Sequence, residues 1–271
     1  MTKPTHLVVG AGKMGGALIS GWLASGSVSA KKLIILDPKP GDDAKAAIQS
    51  GAKHIKKANK TMEAVDYVLL AIKPQSFGTL APDIEKHVAK DAVIISILAG
   101  TSLMTLQDAF PERKIIRAMP NTPASIGQGI TAYTKGSKME AGQIEMIEAL
   151  LSATGDVHHV ANEHLIDVVT AVSGSGPAYI FHMVEALEAA ALHIGLPAEL
   201  APAFARQTVI GAAGLLAQTE TSATELRQNV TSPNGTTAAA LDVLMDINGL
   251  PSLMRETVQA ALKRAKELAE N

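Results

Sequence analysis

Three segments of this 271-residue chain carry residue types and spacings that do chemistry. Gly10-Ala11-Gly12-Lys13-Met14-Gly15 has the GxGxxG spacing and directly follows the strand-like Leu7-Val8-Val9. In such a loop the first glycine permits a tight turn, the second lets a pyrophosphate approach the backbone, and the third lets a helix pack on a strand. The phosphates rest on the helix N-terminus, where free N–H groups and the helix dipole favour negative charge. A glycine-rich turn with no ligand is the plain alternative. Asp37 stands 22 residues beyond Gly15, near the roughly 20-residue offset of an acid that binds a ribose 2′-hydroxyl. A carboxylate there repels a 2′-phosphate and so leans towards NADH over NADPH; Lys39, two residues on, partly offsets this. Asp37 also begins an Asp37-Pro38 turn, which by itself accounts for an acid.

The other two segments are Ser173-Gly174-Ser175-Gly176-Pro177-Ala178-Tyr179 and Val230-Thr231-Ser232-Pro233-Asn234-Gly235-Thr236-Thr237. Each places hydroxyls and free N–H groups at an expected helix start, which makes a ready anion site. Taken singly, Ser and Thr as caps and Pro177 as a first-turn proline explain the same residues; their pairing in one half of the chain favours the site. From Met139 to Ala205 there is neither Lys nor Arg. Oxidation of an alcohol to a ketone asks for a general base near the carbinol, and this stretch offers no lysine. His158, His159, His164, His182 and His193 have no clear acid partner or metal-ligand spacing. Hydride transfer to a C=N bond asks for less, since a protonated imine is already electrophilic and placement alone supplies about 7–11 kcal/mol of the barrier. A hydroxyl such as Thr237 can hold or protonate the nitrogen, while Ser232 and nearby N–H groups hold a carboxylate. No metal is expected.

Elements that position these residues are legible as patterns. Short apolar runs at residues 6–10, 33–36, 67–71, 93–97 and 115–118 alternate with helical segments at 14–25, 43–50, 77–89 and 103–109. Runs this short and continuously apolar suit strands buried on both faces of a parallel sheet, so the first half reads as an α/β, Rossmann-type doubly wound domain. Three stretches end strands at the carboxyl edge, where ligands bind: Ala71-Ile72-Lys73-Pro74, Leu98-Ala99-Gly100 and Met119-Pro120-Asn121-Thr122-Pro123. The Asn121 amide can orient a nicotinamide or a substrate group, and Lys73 is as readily a loop charge as a cofactor contact. After about His159 no strand is evident, and residues 163–172, 177–194, 199–218, 223–228, 237–246 and 250–270 read as helices separated by Gly/Pro-rich breaks. The expected division is residues 1–160 for the dinucleotide and 161–271 for an all-helical domain.

Composition excludes several classes. With 24 Lys+Arg against 26 Asp+Glu and a net charge of -2, there is no basic face for a phosphate backbone, so no nucleic-acid partner is expected. The absence of cysteine excludes disulfides and thiolate metal sites. Apolar runs fall short of the roughly 18 residues that span a bilayer, and the opening six residues lack a signal-peptide pattern. A soluble, cytoplasmic protein without membrane partners is expected.

The chain resembles pyrroline-5-carboxylate reductase over essentially its whole length. The resemblance rests on Gly10–Gly15 with Met14, Ala71-Ile72-Lys73-Pro74, Met119–Pro123, the stretch from Asp167 to Tyr179, and Val230–Thr237. It implies NAD(P)H-dependent reduction of 1-pyrroline-5-carboxylate to L-proline, the last step of proline biosynthesis. It also implies a helical dimerisation domain, a cleft completed by the partner subunit, and a homodimer often assembled into decamers. Cofactor contacts are implied at Val9, Gly10, Ala11, Gly12, Lys13, Met14, Asp37, Asn59, Ala71, Ile72, Lys73, Ala99 and Asn229. Substrate contacts are implied at Glu163, Ser232, Gly235, Thr236 and Thr237, with Thr237 the catalytic hydroxyl at the imine nitrogen. Two positions depart from the family pattern. Asp37 replaces the serine or other neutral or basic residue of many NADPH-preferring members. Asn234 stands where the motif has the first of two glycines, so a left-handed backbone there falls on asparagine. A β-hydroxyacid-dehydrogenase-like enzyme shares the two-domain plan, and a non-catalytic dinucleotide-sensing scaffold shares the glycine loop; both are alternatives.

Overall fold

Adjacent apolar residues on a pleated strand point to opposite faces, so a run such as Leu33-Ile34-Ile35-Leu36 needs cover on both sides. The computed structural model, which describes residues 4–269, provides it. Strands β1 (His6–Val9), β2 (Leu33–Leu36), β3 (Lys53–Ile55), β4 (Tyr67–Leu70), β5 (Val93–Ser96), β6 (Ile115–Met119), β7 (Gly129–Lys135) and β8 (Gly155–His159) form one sheet in the order β3-β2-β1-β4-β5-β6-β7-β8. The first six pair in parallel, β7 runs antiparallel to β6 and β8 is parallel to β7. Their 3-2-1-4-5-6 order is that of a doubly wound nucleotide-binding sheet, whose crevice opens between β1 and β4.

Helices α1 (Lys13–Ser25), α2 (Asp42–Gln49), α3 (Phe77–His87), α4 (Leu103–Ala109), α5 (Ala141–Ser152) and α6 (His164–Val169) accompany the sheet. On one face Val8, Ile35 and Leu69 pack with Leu18, Trp22, Ile147 and Leu150. On the other, Leu7, Val9, Ile34 and Leu36 pack with Phe77, Ile84 and Phe110. The five expected strands are present to within a residue at each end. Not anticipated are α5, the three-residue edge strand β3, and β7 and β8; β8 reads Gly155-Asp156-Val157-His158-His159, an edge strand too polar to show as an apolar run.

A second correction concerns residues 163–172 and the segment after them. The helix expected at 177–194 opens at Gly176, and residues 163–172 do not form one helix: α6 passes into a π-turn over Thr170–Gly174. There the Thr170 hydroxyl donates to the Ile166 carbonyl at 2.7 Å, the Ser173 hydroxyl to the Val169 carbonyl at 3.1 Å, and the Ser175 N–H to the Thr170 carbonyl at 2.8 Å. Back-bonding of this kind competes with regular helix geometry, and it commits the Ser173 hydroxyl and the Ser175 N–H to carbonyls of the same segment.

What holds α6 to the sheet is a buried charge. Arg117 on β6, 1% exposed, donates from Nη1 to Glu163 Oε1 at 2.8 Å and from Nη2 to Asp167 Oδ1 at 2.9 Å, while Ile166 packs against Met119 and Ala132. The chain forms two compact units: one runs through Ser175 and resumes at Ala261, and the other is Gly176–Ala260.

The second unit contains α7 (Gly176–His193), α8 (Ala201–Gln218), α9 (Ala223–Asn229), α10 (Thr236–Leu244) and the first half of α11 (Leu250–Ala269). Helices α7, α9 and α10 bury no residue within the chain, and Phe181, Phe204, Leu215, Val243 and Leu253 are at least 55% exposed. No described helix is long and apolar enough to cross a membrane.

Two expected outcomes follow from these buried groups. Arg117→Ala leaves two carboxylates facing each other without a cation, which costs about 3 kcal/mol; a loss below about 1 kcal/mol in denaturant unfolding contradicts the anchoring role. His6, 2% exposed, stacks on Tyr67 with ring centroids 5.5 Å apart, and its Nδ1 has no partner among the described residues. Burial lowers its pKa from 6.5 to about 4, with Asp66 opposing. Between those pH values the unfolded chain binds a proton that the folded chain refuses, so this contribution to stability is intact above pH 6.5 and declines as the pH falls to about 4. The loss amounts to about 3 kcal/mol, and His6→Phe should flatten this part of the stability–pH curve.

Candidate functional site

The turn from β1 into α1 is built by contacts that only glycine permits at two of its three positions. Gly10 has φ +89°, and a Cβ there would lie 2.7 Å from the Ala71 carbonyl oxygen. A Cβ on Gly15 would run into the Gly10 carbonyl oxygen, so that glycine lets α1 sit against the strand end. Gly12 is different. It is the N-cap of α1 with φ -75° and ψ -152°, no side chain caps the helix, and a Cβ would meet nothing within 4 Å. Neither backbone nor packing within the chain demands a glycine there, and the open space leaves room for a pyrophosphate to approach the backbone. The first turn of α1 holds no acid, its backbone N–H groups have no intrahelical acceptors, and Lys13 is exposed beside them.

Of the other residues expected at the cofactor, Asp37, Ala71 and Ile72 lie against this turn. Asp37, just past β2, accepts the Ala11 N–H on Oδ2 at 2.6 Å and the Lys39 N–H on Oδ1 at 2.7 Å. A cavity of about 340 Å³ opens beside it, with Gly10, Leu36, Ile72, Lys56, Lys57 and Asp83 in its lining. Asn59 caps the short 3-10 turn Lys60–Ala64, accepting the Thr61 N–H at 2.9 Å, and donates to the Lys57 carbonyl at 3.1 Å. Ala71 and Ile72 are half-buried and Lys73 exposed at the end of β4. Ala99 is exposed on a loop whose next residue, Gly100, has φ +67° and comes within contact of Leu268 on α11. Asn121 turns inward instead: it is 9% exposed, and its Oδ1 accepts the Ile130 N–H at 2.9 Å, pinning the loop to the start of β7.

Glu163 belongs to this first unit. Its Oε1 takes both the Arg117 guanidinium and the Leu103 N–H, the latter at 2.6 Å, while its side chain is 30% exposed. Asp167 completes the pairing at Arg117. Sequence reasoning did not single out Arg117; an arginine within the apolar run Ile115-Ile116-Arg117-Ala118 was the available signal, because a buried cation requires acids.

Ser232, Gly235, Thr236 and Thr237 lie together in the second unit at the start of α10. The Thr231 N–H bonds to the Gln228 carbonyl and the Gly235 N–H to the Ser232 carbonyl, both at 3.0 Å, and Asn234 adopts φ +59°. A Cβ on Gly235 would run into the Ser232 hydroxyl, so glycine keeps that hydroxyl close over the helix start. Gly235 is the N-cap, again without a side-chain cap, so the first N–H groups of α10 stand beside the hydroxyls of Ser232, Thr236 and Thr237. Asn229, at the end of α9, is exposed.

A doubly wound sheet with a glycine turn shaped for pyrophosphate defines a dinucleotide-dependent oxidoreductase, and the first unit fits a model of NADP oxidoreductases, coenzyme F420-dependent, over residues 7–100. The model for pyrroline-5-carboxylate reductase dimerisation matches residues 163–268. A pyrroline-5-carboxylate reductase of Synechocystis sp. is 37% identical over 266 residues, 97% of each chain. A solved pyrroline-5-carboxylate reductase from Coxiella burnetii has a TM-score of 0.89 at 32% identity, covering 100% of both chains. One from Plasmodium falciparum with NADP bound has a TM-score of 0.84 at 25% identity, covering 99% of both. The chain belongs to the pyrroline-5-carboxylate reductase family, and its helical part is a dimerisation domain.

Gly12→Ala tests the turn without disturbing the fold. Its stability should stay within about 0.5 kcal/mol of the parent, while dinucleotide affinity, read by fluorescence titration, falls; unchanged affinity contradicts a pyrophosphate at this turn.

Proposed function

We propose that this chain reduces the C=N bond of 1-pyrroline-5-carboxylate to give L-proline, using NADPH or NADH. The observation that carries the reading is the start of α10: three hydroxyls and uncapped N–H groups, held in place by the Gly235–Ser232 contact, with no strong acid or base among them. That set suits an electrophile that is already activated. Cofactor, when bound, supplies a hydride to the imine carbon. The α1 N-terminus, with Gly12 and Lys13, holds the pyrophosphate; Ala11, Met14, Ala71, Ile72, Lys73, Ala99 and Asn229 complete its surroundings, with Asp37 and Asn59 at the adenosine end. N–H groups of α10 and the Ser232 hydroxyl hold the substrate carboxylate, favoured by the positive end of the helix. Thr237 hydrogen-bonds the imine nitrogen, which must keep or gain one proton as the C=N electron pair is released onto it. Glu163, fixed by Arg117 and Leu103, adds a carboxylate to the substrate's surroundings. Placement of this kind supplies about 7–11 kcal/mol, enough to dispense with a dedicated acid–base pair.

The division of labour we propose is residues 1–160 for the dinucleotide and 161–271 for substrate and dimerisation, supported by the reach of the dimerisation model from 163 to 268. Homodimers, and decamers built from them, are the proposed assemblies, supported by the apolar residues that α7, α8 and α10 leave exposed in one chain. A cytoplasmic location is supported by the cysteine-free sequence.

Loss of NADPH or NADH absorbance on adding 1-pyrroline-5-carboxylate tests the activity; folded protein with no substrate-dependent loss overturns it. Thr237→Ala should lower turnover by roughly 10–10³-fold with dinucleotide binding near normal, whereas unchanged turnover returns Thr237 to helix capping.

A further inference from the structure

The loop from β5 into α4 is held by parts of the chain far from it in sequence. Its ends are fixed by the Leu98 N–H, which donates to the Ser96 hydroxyl at 3.3 Å, and by the Leu103 N–H, which donates to Glu163 Oε1 at 2.6 Å. Between them Gly100 has φ +67°, and a Cβ there would lie 2.7 Å from Leu268 Cβ, 3.0 Å from the Leu268 carbonyl oxygen and 3.1 Å from its carbonyl carbon. Two of these atoms are main chain, so no side-chain rotation makes room. Leu268 stands in the last turn of α11 with its side chain 43% exposed, and Ala265, one turn earlier, is buried. A helix whose first half belongs to the second unit ends in the first, packed on a loop of the sheet.

That loop has a defined place along a dinucleotide. In the 3-2-1-4-5-6 order each half of the sheet takes one mononucleotide. Asp37 follows β2, in the half that takes adenosine; Ala99 is exposed and follows β5, in the half that takes the nicotinamide mononucleotide. Hydride transfer is sensitive to what positions that ring, since about 1 Å of misplacement costs about 10²-fold in rate.

We propose that Gly100 is a positioning residue for the nicotinamide half of the cofactor, and that the last turns of α11, from Ala261 onward, belong to the cofactor site because they hold its loop. This rests on the dinucleotide reading of the site. Gly100 needs no contact with the cofactor; its missing Cβ lets α11 close on the loop, and Ala99 beside it is thereby presented at the strand end.

The test compares a whole cofactor with its nicotinamide-free counterpart on the intact oligomer: NADPH with 2′-phospho-ADP-ribose, and NADH with ADP-ribose. Gly100→Ala should bind the reduced cofactor roughly 10-fold more weakly and turn over roughly 10–10²-fold more slowly, while affinity for the counterpart stays within about twofold. Leu268→Gly removes the closest atom, so the Gly100→Ala/Leu268→Gly double variant should regain about threefold or more in cofactor affinity over Gly100→Ala alone. Hydrogen exchange of the unaltered protein needs no variant and decides the matter even if Gly100→Ala does not fold: the reduced cofactor should slow exchange at residues 98–103 and 265–269, and the nicotinamide-free counterpart should not. Equal loss of affinity for both ligands, loss of neither, no recovery in the double variant, or no cofactor-dependent protection at the end of α11 overturns the proposal. A parent that binds none of the four ligands instead overturns the dinucleotide reading, and the proposal with it.

Discussion

A guanidinium buried in the middle of a sheet has to be neutralised, and the acids that neutralise Arg117 come from the segment that leaves the sheet. Glu163 and Asp167 stand four residues apart, on the approach to α6 and within it, so both reach the same cation from one helical face. Removing any one partner strands a charge, which is why such a cluster defines position even where its net contribution to stability is small. Through it α6 is registered against β6, the Leu103 N–H is drawn to the same carboxylate, and Glu163 is presented at the sheet rather than left on a loose linker. The π-turn at Thr170–Gly174 begins directly after this anchored helix.

The two halves bury apolar surface in different ways. Around the sheet, alternate strand residues fill two separate layers and little is left exposed. In the helical unit, α7 runs 18 residues without one that is buried. A helix apolar on so many sides must find cover elsewhere, and a dimerisation domain supplies it from a second chain. The high alanine count, 44 residues, fits this arrangement, since small side chains let helices approach closely and leave few gaps for aromatics to fill.

Much of the fold was legible because the governing signals are local. Leu33–Leu36 could be read as a doubly buried strand from four apolar residues, and Gly10 and Gly15 as a close strand–helix turn from their spacing. Where polarity or competing hydrogen bonds intervene, local reading misleads. His158 and His159 hide an edge strand. Ser173 suggests a helix start, but its hydroxyl bonds to a carbonyl one turn earlier. The Asn121 amide suggests a ligand contact, but it holds β7 in place.

By itself the sequence determined the class of chemistry: a glycine loop after a strand, a lysine-free stretch unsuited to a general base, and a hydroxyl-rich helix start are properties of neighbouring residues, set by backbone sterics and helix-end donors. Only the tertiary structure decided which charged groups face one another. Arg117 meets carboxylates 46 and 50 residues away, and Asp37 meets an amide 26 residues back in a cavity whose lining also holds Lys56, Lys57 and Asp83. Electrostatic partners depend on distance in space and on the water removed between them, and neither is encoded in the spacing of residues along the chain.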